Sequence, residues 1–171
     1  EEYDRAVSDY SKALELDAGL TSAYLGRANI YQRQSKLDEA IADYTKAIEL
    51  DPELSGAYSN RARLDDSNAS PQASIADYTQ VIELDPENAS AYNNRGNAYR
   101  DMGDSSAAIA DYTKAIELDP KLTSAYTNRA RLFADQGDYD AAIADYTKVI
   151  EIDAQNATAY TNRGNAYRAL E

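Results

Sequence analysis

The sequence predicts an all-α solenoid of stacked helix pairs, on three observations. The dipeptide Asp-Tyr recurs with its tyrosine at Tyr10, Tyr44, Tyr78, Tyr112 and Tyr146, a step of 34 residues each time. A second column, Tyr24, Tyr58, Tyr92, Tyr126 and Tyr160, keeps the same step. Within each period the apolar residues follow the three-four spacing of an amphipathic helix, in two segments joined by a short polar turn. One such pair cannot bury its apolar face alone. Neighbours stacked at a fixed period bury it as a continuous seam.

Ten helices follow in chain order. Residues 1–20 read as the second helix of an incomplete repeat, with Tyr3, Ala6, Val7, Tyr10, Ala13 and Leu14 on one stripe. Residues 21–54 form a complete repeat. Its first helix carries Tyr24, Ala28 and Tyr31, and its second carries Ala40, Ile41, Tyr44, Ala47 and Ile48. Asp51-Pro52 stops that second helix, because proline cannot continue the hydrogen-bond ladder. Pro86 and Pro120 recur at the same place, and Ala18 and Ala154 replace them in the outer copies. Residues 89–122 and 123–156 are complete repeats with Gly103 and Gly137 at the turn, and 157–171 is a first helix without its partner.

The copy at 55–88 departs from the pattern. Asp65 stands where Tyr31, Tyr99, Phe133 and Tyr167 stand elsewhere, and Ser74 replaces Ala40, Ala108 and Ala142. Its first helix is expected to end early, near Asp65, with Ser70 capping the next helix and Pro71 opening it. An aspartate in an aromatic place leaves a gap that a charge does not fill cheaply. This copy therefore reads as the softest point of the array, by drift or as a hinge or pocket.

Composition excludes several function classes. The chain of 171 residues has no Cys and no His, which removes thiolate chemistry, the commonest general base and the commonest metal ligand. No nucleotide-binding, hydrolase or calcium-loop motif occurs, so no catalytic residue, metal or cofactor is expected. A net charge of −13 argues against a nucleic-acid partner. No apolar run is long enough to span a membrane. The opening EEYDRAV already belongs to a repeat and carries no secretory leader, which slightly favours the cytoplasm. Three Asn-x-Ser/Thr sites, at Asn68, Asn88 and Asn156, matter only in a eukaryotic secretory setting.

The repeated unit resembles the tetratricopeptide repeat. That family's spaced pattern falls here on Tyr92, Arg95-Gly96, Tyr99, Ala108, Tyr112, Ala115 and Pro120, and copies 21–54 and 123–156 match nearly as well. The phrasing NRGNAYR and AIADYTKAIELDP is similar to bacterial members. The resemblance implies a right-handed superhelix with first helices on the concave face and second helices on the convex face. It also implies a protein or peptide partner. One departure is consistent: the family's usual leucine is arginine here, at Arg27, Arg61, Arg95, Arg129 and Arg163. A partly buried guanidinium needs a partner. The aspartate column Asp9, Asp43, Asp77, Asp111 and Asp145 keeps the same period, so an Arg–Asp pair is expected inside each complete repeat. The alternative is an arginine stem laid on tyrosine with its head in water.

Charge separates by helix type. The first-helix windows hold ten arginines and five acids, a balance of +5, against −18 for the remainder. Asparagines mark the same layer: Asn60, Asn94, Asn128 and Asn162 in one column, with Gly26 as the exception. A second column alternates Asn29, Arg63, Asn97, Arg131, Asn165, a superperiod of 68 residues. Asparagine offers a donor and an acceptor to an extended backbone, and arginine suits a carboxylate. These residues, with Arg100, are the expected peptide-binding set. The lysine of the family's carboxylate clamp is missing, since Leu25, Ser59, Asn93, Thr127 and Thr161 hold its place. The alternative function is assembly. The half-repeats at the ends are complementary, so Val7, Tyr10 and Leu14 of one copy could meet Tyr160 and Tyr167 of another, head to tail.

Overall fold

The computed structural model describes residues 1–67 and 70–170. The described residues form ten helices in two compact units. The first, Glu1–Pro86, holds α1 (Glu2–Leu16), α2 (Thr21–Arg33), α3 (Leu37–Leu50), α4 (Ser55–Ser67) and α5 (Pro71–Leu84). The second, Glu87–Glu171, holds α6 (Ala89–Asp101), α7 (Ser105–Leu118), α8 (Thr123–Asp135), α9 (Tyr139–Ile152) and α10 (Ala157–Ala169). Each unit is an all-α solenoid stack of antiparallel pairs. No helix is long and apolar enough to cross a membrane among the described residues.

Small residues let the two helices of a pair approach. Ala28, Ala62 and Ala130 are fully buried on the first helices, and Ala40, Ala108 and Ala142 on the second. In α6 the corresponding residue is Gly96, where an added Cβ would lie 2.7 Å from the Tyr112 ring. The Asp-Tyr tyrosines fill the seam: Tyr44, Tyr78, Tyr112 and Tyr146 are all buried.

The ends of the helices follow from local hydrogen bonds. Each second helix stops at an aspartate in extended geometry, as at Asp51 and Asp153. Its carboxylate then accepts the N–H two residues on: Gly19 to Asp17, Glu53 to Asp51, Lys121 to Asp119 and Gln155 to Asp153, at 2.8–3.1 Å. This Asx turn forms with or without the following proline, which explains why Ala18 and Ala154 are tolerated. The inner turns need a positive φ. Gly103 and Gly137 supply it at 84° and 81°, and Ser35 adopts 59° in the same place. Asp104 and Asp138 cap α7 and α9, and Asn88 and Asn156 cap α6 and α10. Two of the three glycosylation motifs are thus occupied as helix caps, and Asn68 lies outside the described residues.

The irregular copy corrects two expectations. Helix α4 does not end near Asp65. It runs to Ser67 and has 13 residues, as α2 has. The backbone explains this: Ser70 N–H donates to Asp65 O at 2.9 Å, the same bond that Lys36 makes to Tyr31 and Asp104 to Tyr99. The side chain changes while the turn register does not. Pro71 opens α5 as expected, but the Ser70 side chain makes no cap bond; its carbonyl accepts from Ala73 and Ser74 instead. Ser74 costs little where alanine was expected, because its Oγ donates to Ala62 O at 2.9 Å across the pair. Asn68 and Ala69, in the turn of this copy, lie outside the described residues.

The apolar stripe of α1, named above as one end for association, is largely covered within the chain. Leu14 is buried, and Val7 and Tyr10 are half-buried, because the stripe of α1 packs on α2. The Tyr10 ring lies against Gly26, in space that a Cβ there would share with it. Tyr160 and Tyr167 are exposed, as expected.

Candidate peptide-binding face

The arginine and aspartate columns meet. Arg27 donates Nε and Nη2 to the two carboxylate oxygens of Asp43 at 2.7 and 2.8 Å. Arg61–Asp77, Arg95–Asp111 and Arg129–Asp145 repeat this fork at 2.7–2.9 Å. These hydrogen bonds raise each arginine's pKa above its ordinary value, against a smaller lowering by burial. The remaining Nη1 reaches the second helix of the preceding repeat, 16 residues back. Arg27 donates to Ser11, Arg61 to Thr45, Arg129 to Thr113 and Arg163 to Thr147, at 2.9–3.0 Å. The threonines in turn donate to the carbonyl four residues before them, as Thr113 does to Ile109 at 2.7 Å. One guanidinium therefore ties its own hairpin shut and staples it to its neighbour. The Ser/Thr column (Ser11, Thr45, Thr79, Thr113, Thr147) is legible at period 34, and sequence reasoning passed over it.

The asparagine columns are tied to the tyrosine seam. In the first unit the Tyr44 hydroxyl donates to Asn29 Oδ1 at 2.6 Å and is also bonded to Asn60. Arg63 Nη2 donates to Asn60 Oδ1 at 3.1 Å. An open cavity of about 470 Å³ lies among Asn29, Gln32, Arg33 and Arg63. In the second unit Asn97 Oδ1 accepts from Tyr112 at 2.8 Å and from Asn128 Nδ2 at 3.0 Å. Asn128 also donates to Asn93 at 3.2 Å, and Asn93 to Asn94 at 3.1 Å. Asn29, Asn97 and Asn128 therefore work in the array itself, which their columns alone did not reveal. Arg100, of the expected peptide-binding set, donates Nε and Nη2 to Asp101 Oδ1 at 3.0 and 2.9 Å.

A second open space lies among α8, α9 and α10. A cavity of about 240 Å³ is lined by Arg131, Asp135, Tyr139, Tyr146, Asn162 and Asn165, among others. Arg131 and Asn165 are exposed, and Asn162 holds the Tyr146 hydroxyl. Burial raises the pKa of Tyr44 and Tyr146, and that of Tyr112 to about 12; Arg63 and Arg131 partly offset the rise at Tyr44 and Tyr146 respectively. Among the described residues, no group of His, Cys, Asp and Glu could hold a metal ion.

Comparison with known families is decisive at this point. Tetratricopeptide-repeat models match residues 21–54 and 89–122, and again 111–144. A further TPR repeat model matches 72–103 and 130–170. The chain belongs to the tetratricopeptide-repeat family. No curated protein sequence matches it. Solved structures resemble it over most of its length. MamA is 26% identical, with 91% of each chain covered and a TM-score of 0.85. YrrB, described as a TPR protein with an unusual peptide-binding site, is 23% identical, covering 95% of this chain and 84% of its own, with a TM-score of 0.85. The first TPR of Spaghetti (RPAP3), bound to the HSP90 peptide SRMEEVD, is 23% identical over 68% of this chain and 92% of its own, with a TM-score of 0.65. As a tetratricopeptide-repeat chain it has the fold of a protein-interaction scaffold.

Proposed function

We propose that the chain is a non-catalytic scaffold that binds an extended peptide or protein segment along its first-helix face. The observation that carries this is the open cavity that a cation, Arg131, and the exposed Asn165 line together with Tyr146. Arg131 offers a fork to a carboxylate, and the amides offer donors and acceptors to a peptide backbone. YrrB and the RPAP3 domain are described as binding peptides, and their likeness to this chain is one of fold. Peptides selected by display on the wild-type chain should lose at least about tenfold in affinity with Arg131→Ala plus Asn165→Ala, measured by fluorescence anisotropy. Unchanged affinity would remove this face from the reading.

A second reading, head-to-tail association, is favoured by one observation. Asp9 is exposed, and Arg163, one step beyond the last Arg–Asp fork, has no carboxylate partner among the described residues. A second copy's α1 laid on α10 brings Asp9 to Arg163 in the register of Asp43 to Arg27. Sedimentation of the 171-residue chain should then show concentration-dependent association. Asp9→Arg should abolish it, and Asp9→Arg with Arg163→Asp should restore it. A monomer at every concentration excludes this reading.

A further inference from the structure

The place of the missing ring points to a binding site apart from the first-helix face. In three repeats the arginine of the Arg–Asp fork is flanked by two aromatic rings. Tyr24 and Tyr31 lie 5.8 and 5.9 Å from Arg27, Tyr92 and Tyr99 lie 5.6 and 5.9 Å from Arg95, and Tyr126 and Phe133 lie 5.9 and 5.8 Å from Arg129. Arg61 has Tyr58 at 5.8 Å, and Asp65 stands where the second ring would start. The main chain at Asp65 keeps the register of the aromatic copies, so no backbone shift closes the gap. An open cavity of about 320 Å³ lies there, bounded by Ile41 and Thr45 of α3, Arg61 and Asp65 of α4, and Ala73, Ala76 and the Arg61-paired Asp77 of α5. Ala73 and Ala76 are exposed and frame its mouth with two methyl groups.

We infer that this cavity receives a tyrosine side chain presented by a partner protein. The sister repeats show what fits beside the guanidinium: a six-membered ring, attracted through its negative face. An apolar cavity of about 150 Å³ already holds a benzene, so the space suffices. Asp65 selects among rings. It is 9% exposed, and its field helps to raise the pKa of Arg61. A carboxylate oxygen accepts more than one hydrogen bond, so a phenol lying over Arg61 can donate to it. A phenylalanine ring fits the same space but has no donor, so it lacks this added bond. The repeat that lost its own aromatic thus supplies an acceptor that the intact repeats lack.

The probes are N-acetyl-tyrosinamide and N-acetyl-phenylalaninamide, titrated into ¹⁵N-labelled protein. The tyrosine probe should shift the Arg61 Nε–H and the Ala73 and Ala76 amides saturably, and the phenylalanine probe should bind about tenfold more weakly. Asp65→Tyr should fill the cavity from within, raise the melting temperature and abolish the shifts. Should that variant misfold, Ala76→Leu closes the mouth from an exposed helix position and should abolish them equally. Shifts that never saturate, that match for both probes, or that persist when the cavity is filled or closed overturn the inference.

Discussion

Asp145→Ala should lower the unfolding free energy by about 3 kcal/mol. The Asp145 side chain is 8% exposed and that of Arg129 17%. Removing the carboxylate strands a guanidinium held between Tyr126 and Phe133, with Thr113 as its remaining acceptor. Removing one partner of a buried pair costs about 3–5 kcal/mol, and the residual exposure of Arg129 places this case at the lower end. Whole-chain stability runs at about 0.05–0.15 kcal/mol per residue, so the loss is a large share of it. Arg129→Leu with Asp145→Leu should fall much closer to wild type, because an apolar pair of similar volume replaces the ion pair without leaving a charge. Urea unfolding followed by far-ultraviolet circular dichroism checks both. A loss below about 0.5 kcal/mol for Asp145→Ala would mean that solvent already screens the pair. The exposed Lys–Glu pairs, such as Lys148–Glu151 at 2.7 Å, offer the contrast, since surface pairs of that kind contribute little.

The fork was legible because both partners recur at one period and an antiparallel hairpin brings them level. The same arithmetic was available for the threonines, yet a lone hydroxyl column carries no charge to demand a partner. The asparagines were legible as a column, but their bonds to the tyrosines were not. Their spacing places them on the first-helix face, but it does not tell that Tyr44 and Tyr112 reach through the pair to Asn29 and Asn97, 15 residues back. A buried phenol needs an acceptor, and that need could have named the asparagine. Asp65 was read as breaking a helix because propensity was weighed against an isolated side chain. In the structure the packing of α4 on α5 decides, and Ser74 Oγ reaches across to Ala62 O within that packing. The substitution therefore left a cavity and spared the helix.

Those phenols also set the alkaline limit of the fold. Tyr112 is fully buried, donates to Asn97 at 2.8 Å, and has its pKa pushed up from 10.0 to about 12. A folded-state pKa raised above the unfolded value marks stability that is fully present below the unfolded pKa and lost as pH rises through the folded one. Below pH 10 the phenol is neutral in both states and the contribution is whole. Between pH 10 and 12 the unfolded chain ionises while the folded one resists, so the unfolding free energy falls, by roughly 2 kcal/mol from Tyr112 alone. Tyr44 and Tyr146 shift in the same direction for the same cause, so their contributions fall in the same sense. Urea midpoints measured from pH 10 to 12 should drop steeply, with phenolate absorbance rising in step with unfolding. In Tyr112→Phe the midpoint at neutral pH should fall modestly, by about 1 kcal/mol, for the lost hydrogen bond to Asn97. The alkaline drop should shrink by the share Tyr112 carries. If the slope between pH 10 and 12 is the same in wild type and variant, Tyr112 ionises as readily in the fold as outside it. The phenol–asparagine link would then be too open to water to hold the pair of helices together.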